Sequence, residues 1–259
     1  MKVVALISGG KDSTFNMMEC VRHGHEIVAL ANARPIVAAA PDSSKPEGGE
    51  TDSYLFQTVG HDAIECIAEC LDLPLYRRFI HGTAVDQSLE YQGVTANDET
   101  EDLYVLLKEV IDNHPDVEGV SVGAIFSSYQ GNRVQNVCDR LGLKMLPYLW
   151  QRDQKELLKE MIDAGVDAIL IKVAAFGLHP DKHLGKTIKE MYPLLVELSD
   201  KYGVHVCGEG GEYESLVLDC PLYKKKRIEI VEKTVILHSN DMYSPVAYLR
   251  LDKLQAVPK

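Results

Sequence analysis

Apolar runs of strand length alternate with helix-like stretches through the first half of the chain. Val3-Val4-Ala5-Leu6-Ile7 is a continuous apolar run, Thr14 to Arg22 reads as a helix, and Glu26 to Ala31 reads as a second strand. The pattern then predicts an amphipathic helix over Asp62 to Leu71, a strand over Leu75 to Ile80 and a polar stretch from Gly82 to Asn97. Asp98, Glu99, Glu101 and Asp102 give the next segment the acidic start that suits a helix N-terminus, and Leu103, Leu106, Leu107 and Val110 give it an apolar stripe. A strand over Gly119 to Phe126 and a helix over Ser127 to Leu141 complete the series. Such alternation calls for a parallel sheet covered by helices on both faces, over residues 1–145.

After Pro147 the pattern changes, and residues 146–259 are expected to form a smaller α+β lobe. Its elements are a helix over Asp153 to Ala164, a strand over Asp167 to Val173, a loop through Gly177 and Pro180, and a long helix to Lys201. Val204 to Cys207, Ser215 to Leu218, Arg227 to His238 and Val246 to Leu251 read as strands, the last two with alternation. Between the second strand and the third, Pro35 to Thr51 is rich in small residues and prolines and leaves the expected ligand edge of the sheet, so a lid or a plain surface insertion is expected there.

Composition narrows the function classes. A 259-residue chain with 46% hydrophobic and 25% charged residues is globular. Its net charge of -12 disfavours a protein that grips nucleic acid and suits a basic protein partner. No apolar run approaches the roughly 20 residues that span a bilayer, and the N-terminus enters a strand directly, so a cytoplasmic protein without membrane attachment is expected. The six cysteines contain no C-x-x-C pair and read as buried thiols.

Ser8-Gly9-Gly10-Lys11-Asp12-Ser13 stands between the first strand and the first helix. The glycines can take the positive φ of a tight turn, Ser13 can cap the helix, and the helix N-terminus with Lys11 suits a polyanion. Lys11 and Asp12 are expected at an exposed turn. The spacing is not the G-x-x-x-x-G-K-[ST] of a Walker loop. It resembles the S-G-G-x-D-S signature of the PP-loop ATP pyrophosphatases at every fixed position. That resemblance implies a Rossmann-like fold of the adenine nucleotide alpha hydrolase type, ATP as the nucleotide, and cleavage between its α- and β-phosphates. Asp12 inside an anion site then calls for Mg²⁺. Ser128, Tyr129, Gln130 and Arg133 fall on the expected ligand rim, with Tyr129 and Arg133 as candidate nucleotide contacts; His61, just ahead of a helix, either helps to hold the nucleotide or caps and packs.

Gly208-Glu209-Gly210-Gly211-Glu212-Tyr213-Glu214 crowds three carboxylates and three glycines between two apolar segments. Like-charge repulsion makes that density costly unless cations or shared protons visit it. Facing the phosphate turn, these carboxylates could hold Mg²⁺, bind ammonium or take its proton; standing alone they would be a solvated turn. With Ser121 to Ile125, Tyr129 to Val134, Leu149-Trp150 and His183 to Lys186, this turn makes nearly the whole chain resemble the diphthamide synthetase (diphthine ammonia ligase) family. The resemblance implies adenylation of the carboxylate of diphthine, a trimethylated, modified histidine on elongation factor 2, followed by amidation with free ammonium. It makes Lys11, Asp12, Glu209 and Glu212 candidate catalytic residues, and Gly210, Gly211, Tyr213, Glu214 and Lys186 candidate substrate contacts. A tRNA-modifying PP-loop enzyme and a non-catalytic nucleotide-binding module are the competing readings.

Overall fold

The computed structural model describes residues 1–35, 59–91, 93–241 and 243–259. The first sheet has five parallel strands: β1 (Lys2–Leu6), β2 (Glu26–Pro35), β3 (Leu75–Ile80), β4 (Val117–Ser121) and β5 (Lys144–Leu146), in the order β3-β2-β1-β4-β5. Helices α1 (Lys11–Arg22), α2 (Ile64–Leu71), α3 (Glu99–Asn113) and α4 (Ser128–Leu141) connect them. This is the doubly wound arrangement expected from the alternation. Its strand order reverses between β1 and β4, where open α/β sheets form their ligand crevice.

The apolar stripe of α3 is fully buried at Leu103, Leu106, Leu107 and Val110, and Asp98 caps the helix by accepting from Thr100 N at 2.9 Å. With α4 it covers one face of the sheet. On the other face Phe15 of α1 and Ile64 and Ile67 of α2 belong to an apolar cluster that continues into the second unit. That unit comprises α5 (Gln154–Asp163), β6 (Asp167–Val173), α6 (Pro180–His183), α7 (Ile188–Tyr202), β7 (Tyr213–Asp219), β8 (Lys226–Ser239) and β9 (Val246–Pro258). Its four strands are antiparallel in the order β7-β6-β9-β8. The molecule is therefore an α/β parallel sheet followed by a smaller α+β part, and no helix among the described residues is long and apolar enough to cross a membrane.

Several local expectations are corrected. The strand expected over Gly119 to Phe126 ends at Ser121, because the chain then leaves the sheet and Val122, Gly123, Ala124 and Ser127 line the crevice. Val204 to Cys207 forms a turn, since its polar groups bond within the acidic loop and to Gln154 rather than to a neighbouring strand. The helix expected to run to Lys201 is two, α6 and α7; Thr187 starts the second with a reciprocal cap in which Glu190 N donates to Thr187 Oγ1 at 3.1 Å and Thr187 N donates to Glu190 Oε2 at 2.8 Å. The lid expected over residues 35–51 falls, from residue 36 on, outside the described residues.

One buried polar side chain fixes α1 against the sheet. Asn16 is fully buried; its Nδ2 donates to Ser121 Oγ at 2.7 Å and to Leu146 O at 2.9 Å, and its Oδ1 accepts from Tyr148 N at 2.8 Å. Truncation takes this partner from Ser121 Oγ and Tyr148 N and leaves Leu146 O with the long bond from Val122 N at 3.4 Å, which costs more than the hydrogen bonds themselves contribute. Asn16→Ala should destabilise the fold by about 2–4 kcal/mol, read as a lowered melting temperature in differential scanning calorimetry; an unchanged transition would show that α1 is held by its apolar face alone.

Candidate active site

A cavity of about 510 Å³ lies at the strand-order reversal, walled by the β1–α1 turn, the ends of β2 and β4, the start of α4 and the acidic loop before β7. Gly9 has φ +88°, and a Cβ there would come within 3.2 Å of Ile67 Cδ1, so this position requires glycine. Gly10 is extended at φ -82° and precedes the helix, which starts at Lys11. Ser13 is therefore inside the first turn of α1 and does not cap it. Its hydroxyl donates to Gly10 O at 3.1 Å and accepts from Ser8 N at 3.3 Å, while Ser8 Oγ accepts from Gly10 N at 3.2 Å. The two serines close the turn on itself and leave the first turn of α1, Lys11 to Ser13, on the cavity wall.

The second sheet supplies the remaining partners of the turn. Val217 N of β7 donates to Gly9 O at 3.0 Å, and Lys11 N donates to Ser215 Oγ at 3.2 Å. From the opposite side Gly123 closes in so tightly that a Cβ would stand 2.6 Å from Ser13 N. That backbone approach permits no side chain.

Lys11 is 2% exposed, which corrects the expectation of an exposed charge. Its Nζ donates to Asp12 Oδ2 at 2.8 Å and to Cys207 O at 2.5 Å, and it sits 4.9 Å from the centre of the Tyr213 ring. Burial alone would lower its pKa; Asp12, then Tyr213 and Cys207, outweigh that and raise it, so Lys11 is a cation throughout the physiological range. Asp12 Oδ1 is buried and has no protein partner.

Glu209 lines the same cavity, its Oε2 accepting from Phe126 N at 3.0 Å. Burial, reinforced by the nearby charge of Asp12, pushes its pKa above the ordinary glutamate value. Glu212 does different work. Its Oε1 accepts from His205 N at 2.9 Å and its Oε2 from Gly210 N at 2.7 Å, so both carboxylate oxygens hold the acidic loop, and Glu212 is not on the cavity wall. Glu214 is on the wall and pairs with Lys172 across β6 and β7 at 3.3 Å. Tyr213 lines the cavity with its ring beneath Lys11 and its hydroxyl donating to Val206 O at 2.8 Å. Gly211 is also on the wall, whereas Gly210 is not.

The other expected residues divide. His61 reaches the wall, held through Arg77, whose Nη2 donates to His61 O at 3.0 Å and whose Nε donates to Asn32 Oδ1 at 3.2 Å. Tyr129 and Arg133 are off the wall. Arg133 is fully buried and donates to the main-chain carbonyls of Asp86, Ser88 and Tyr129, with its guanidinium 3.3 Å from the Tyr129 ring centre. These contacts strap the 86–91 segment to α4, because a buried cation must spend its donors on the acceptors that surround it. Lys186 is outside the cavity and pairs with Glu190 at 2.9 Å on the surface.

Two residues that carried no signal in the sequence stand directly behind or beside wall residues. His205 Nδ1 accepts from Cys207 N at 3.2 Å and Glu209 N at 3.4 Å, which places its proton on Nε2, and burial lowers its pKa. Phe126, which read as the end of a strand, stands between the wall residues Ala124 and Ser127. Cys207, also on the wall, has its thiol pushed up to about 12 by burial and donates it to Gln154 O, so it is no nucleophile.

Residues 1–145 match the family model described as the diphthamide synthase N-terminal domain, and residues 153–248 match the diphthamide synthase C-terminal domain. A Danio rerio protein named diphthine–ammonia ligase is 60% identical over 259 residues, covering 100% of this chain and 98% of its own length. The Homo sapiens protein of the same name is 56% identical over 264 aligned positions, with 100% and 96% covered. The Schizosaccharomyces pombe protein of that name is 56% identical over 251 residues, covering 97% of this chain and 39% of the longer relative. Matched by both family models and aligned end to end with relatives of one name, the chain belongs to the diphthamide synthase family.

Proposed function

We propose that this chain is an ATP-dependent diphthine–ammonia ligase, and that it works in the cytoplasm on the diphthine side chain of elongation factor 2. The observation that carries the reading is the meeting, in one cavity, of the phosphate-suited turn at the start of α1 and the Glu209 loop, in a chain whose relatives carry that activity in their name. Residues 1–145 supply the nucleotide-holding part and residues 146–259 the part that completes the acceptor site.

The acceptor carboxylate oxygen attacks the α-phosphorus of ATP, the bond to the β-phosphate oxygen breaks, and pyrophosphate leaves. Ammonia then attacks the acyl carbon and AMP departs, leaving the amide. The first turn of α1 and its N-terminal dipole suit the β- and γ-phosphates. Lys11, on the same wall, neutralises Asp12 and fixes the loop that faces it. Mg²⁺ would neutralise phosphate charge as pyrophosphate leaves. The residues fit it: Asp12 Oδ1 is a buried carboxylate oxygen on the cavity wall without a protein partner, so Asp12 would hold the ion. Glu209, with its raised pKa, is also suited to take a proton from incoming ammonium. Tyr213, Gly211 and Glu214 line the acceptor side, and His61 and Asn32 the side toward β2.

Chromatography of the products should show AMP and pyrophosphate in step with amidation of elongation factor 2, seen as a mass shift. ADP in their place would mean phosphoryl transfer, and nucleotide binding with no acceptor-dependent ATP–pyrophosphate exchange would leave a binding module.

The two glutamates of the loop should separate in mutation. In Glu209→Gln the amide carbonyl still accepts from Phe126 N, so only the charge is lost, and amidation should fall at least tenfold with the melting temperature and ATP affinity nearly unchanged. In Glu212→Gln one of the two backbone donors meets an NH₂ group, so the principal effect should be a loop less stable by about 1–3 kcal/mol. Paired calorimetry and amidation assays decide this; wild-type turnover in Glu209→Gln would remove Glu209 from the chemistry.

A further inference from the structure

Phe126 is an expensive residue to leave in water. Its side chain is 50% exposed at the edge of the cavity, yet the backbone around it is held on three sides. Gln151 N donates to Ile125 O at 2.8 Å, Phe126 N donates to Glu209 Oε2 at 3.0 Å, and Gly123 packs directly on Ser13. The ring itself meets His205 edge-to-face, centroids 6.0 Å apart at 73°. His205 in turn fixes the Glu209 loop through Nδ1. A phenyl group is thus presented rigidly, half bare, beside the carboxylate the reaction uses.

On the ligase reading two different nitrogen cations enter this acidic cavity besides Mg²⁺. Ammonium is small and donates hydrogen bonds, so carboxylate oxygens suit it. A trimethylated nitrogen, carried on the same side chain as the acceptor carboxylate, is bulky and has no proton to donate. Its matching surface is an aromatic face with negative charge close by. We propose that Phe126, propped by His205 and backed by Glu209 and Asp12, is the seat of the acceptor's quaternary ammonium group and a specificity-determining residue for the trimethylated acceptor. It rests on the ligase reading and adds to it the division of the cavity between two cations.

The test compares amidation by the full chain of two acceptor proteins, one carrying trimethylated diphthine and one carrying the same side chain before N-methylation. Phe126→Ala should lower kcat/KM for the trimethylated acceptor roughly five- to thirty-fold, chiefly through KM. It should leave the KM for ATP unchanged and erase most of the preference over the unmethylated acceptor. Phe126→Tyr should keep the preference, and Phe126→Leu, which keeps apolar bulk but has no π face, should not restore it. Wild-type behaviour of Phe126→Leu, equal losses on both acceptors or a matching rise in the KM for ATP would each overturn the assignment. If the wild-type chain amidates both acceptors equally well, the aromatic seat falls while the ligase reading stands; if it amidates neither, the ligase reading falls and takes the seat with it.

Discussion

A single buried ammonium group joins the two halves of this molecule. Lys11 Nζ is shared between Asp12, on its own helix, and Cys207 O, at the base of the acidic loop, above the Tyr213 ring. A charge so buried is stable only with its partners in place. The β1–α1 turn and the Glu209 loop are therefore registered to each other before any ligand arrives. Replacing the pair with well-packed apolar residues would cost less in desolvation, so the role of the ion pair is to specify one arrangement rather than to strengthen the fold.

The same dependence runs through the backbone. Gly9 O and Lys11 N, both in the β1–α1 turn, find their partners at Val217 and Ser215 of β7, a strand some two hundred residues away in sequence. Phe15, Ile64 and Ile67 pack in the apolar cluster that also holds Leu216 and Leu249. The helices on the second face of the first sheet thus leave apolar side chains that the later part of the chain covers. A catalytic cavity at such a seam gains a rigid wall from each side.

The sequence was most legible where a local signal had one physical meaning. Strand-helix alternation gave the parallel sheet, the α3 stripe buried as its spacing required, and Asp98 capped as an acidic start suggests. It was least legible where a residue's role depends on what comes near it from far along the chain. Lys11 reads as an exposed charge until Cys207 covers it. Arg133 falls on the ligand rim by helical phase, but the carbonyls of Asp86 and Ser88 claim its donors. β5 is three residues long, too short to produce a period, and Val204 to Cys207 is apolar enough for a strand but spends its N–H groups on side chains.

The acidic loop shows most sharply why composition cannot assign roles. Glu209, Glu212 and Glu214 lie within six residues, and by charge density they are interchangeable. What separates them is the number of their oxygens already committed to the protein. Glu212 has both oxygens on backbone N–H groups and is a brace. Glu214 faces the cavity with Lys172 beside it, so its charge is already largely met. Glu209 has only backbone N–H groups of the 125–126 segment as partners and meets the repulsion of Asp12 across the cavity, which leaves it the carboxylate with the most to gain from a proton or a cation. Three like charges placed so close tolerate one another because two of them are answered by the fold, and the third faces the cavity with its charge largely unanswered.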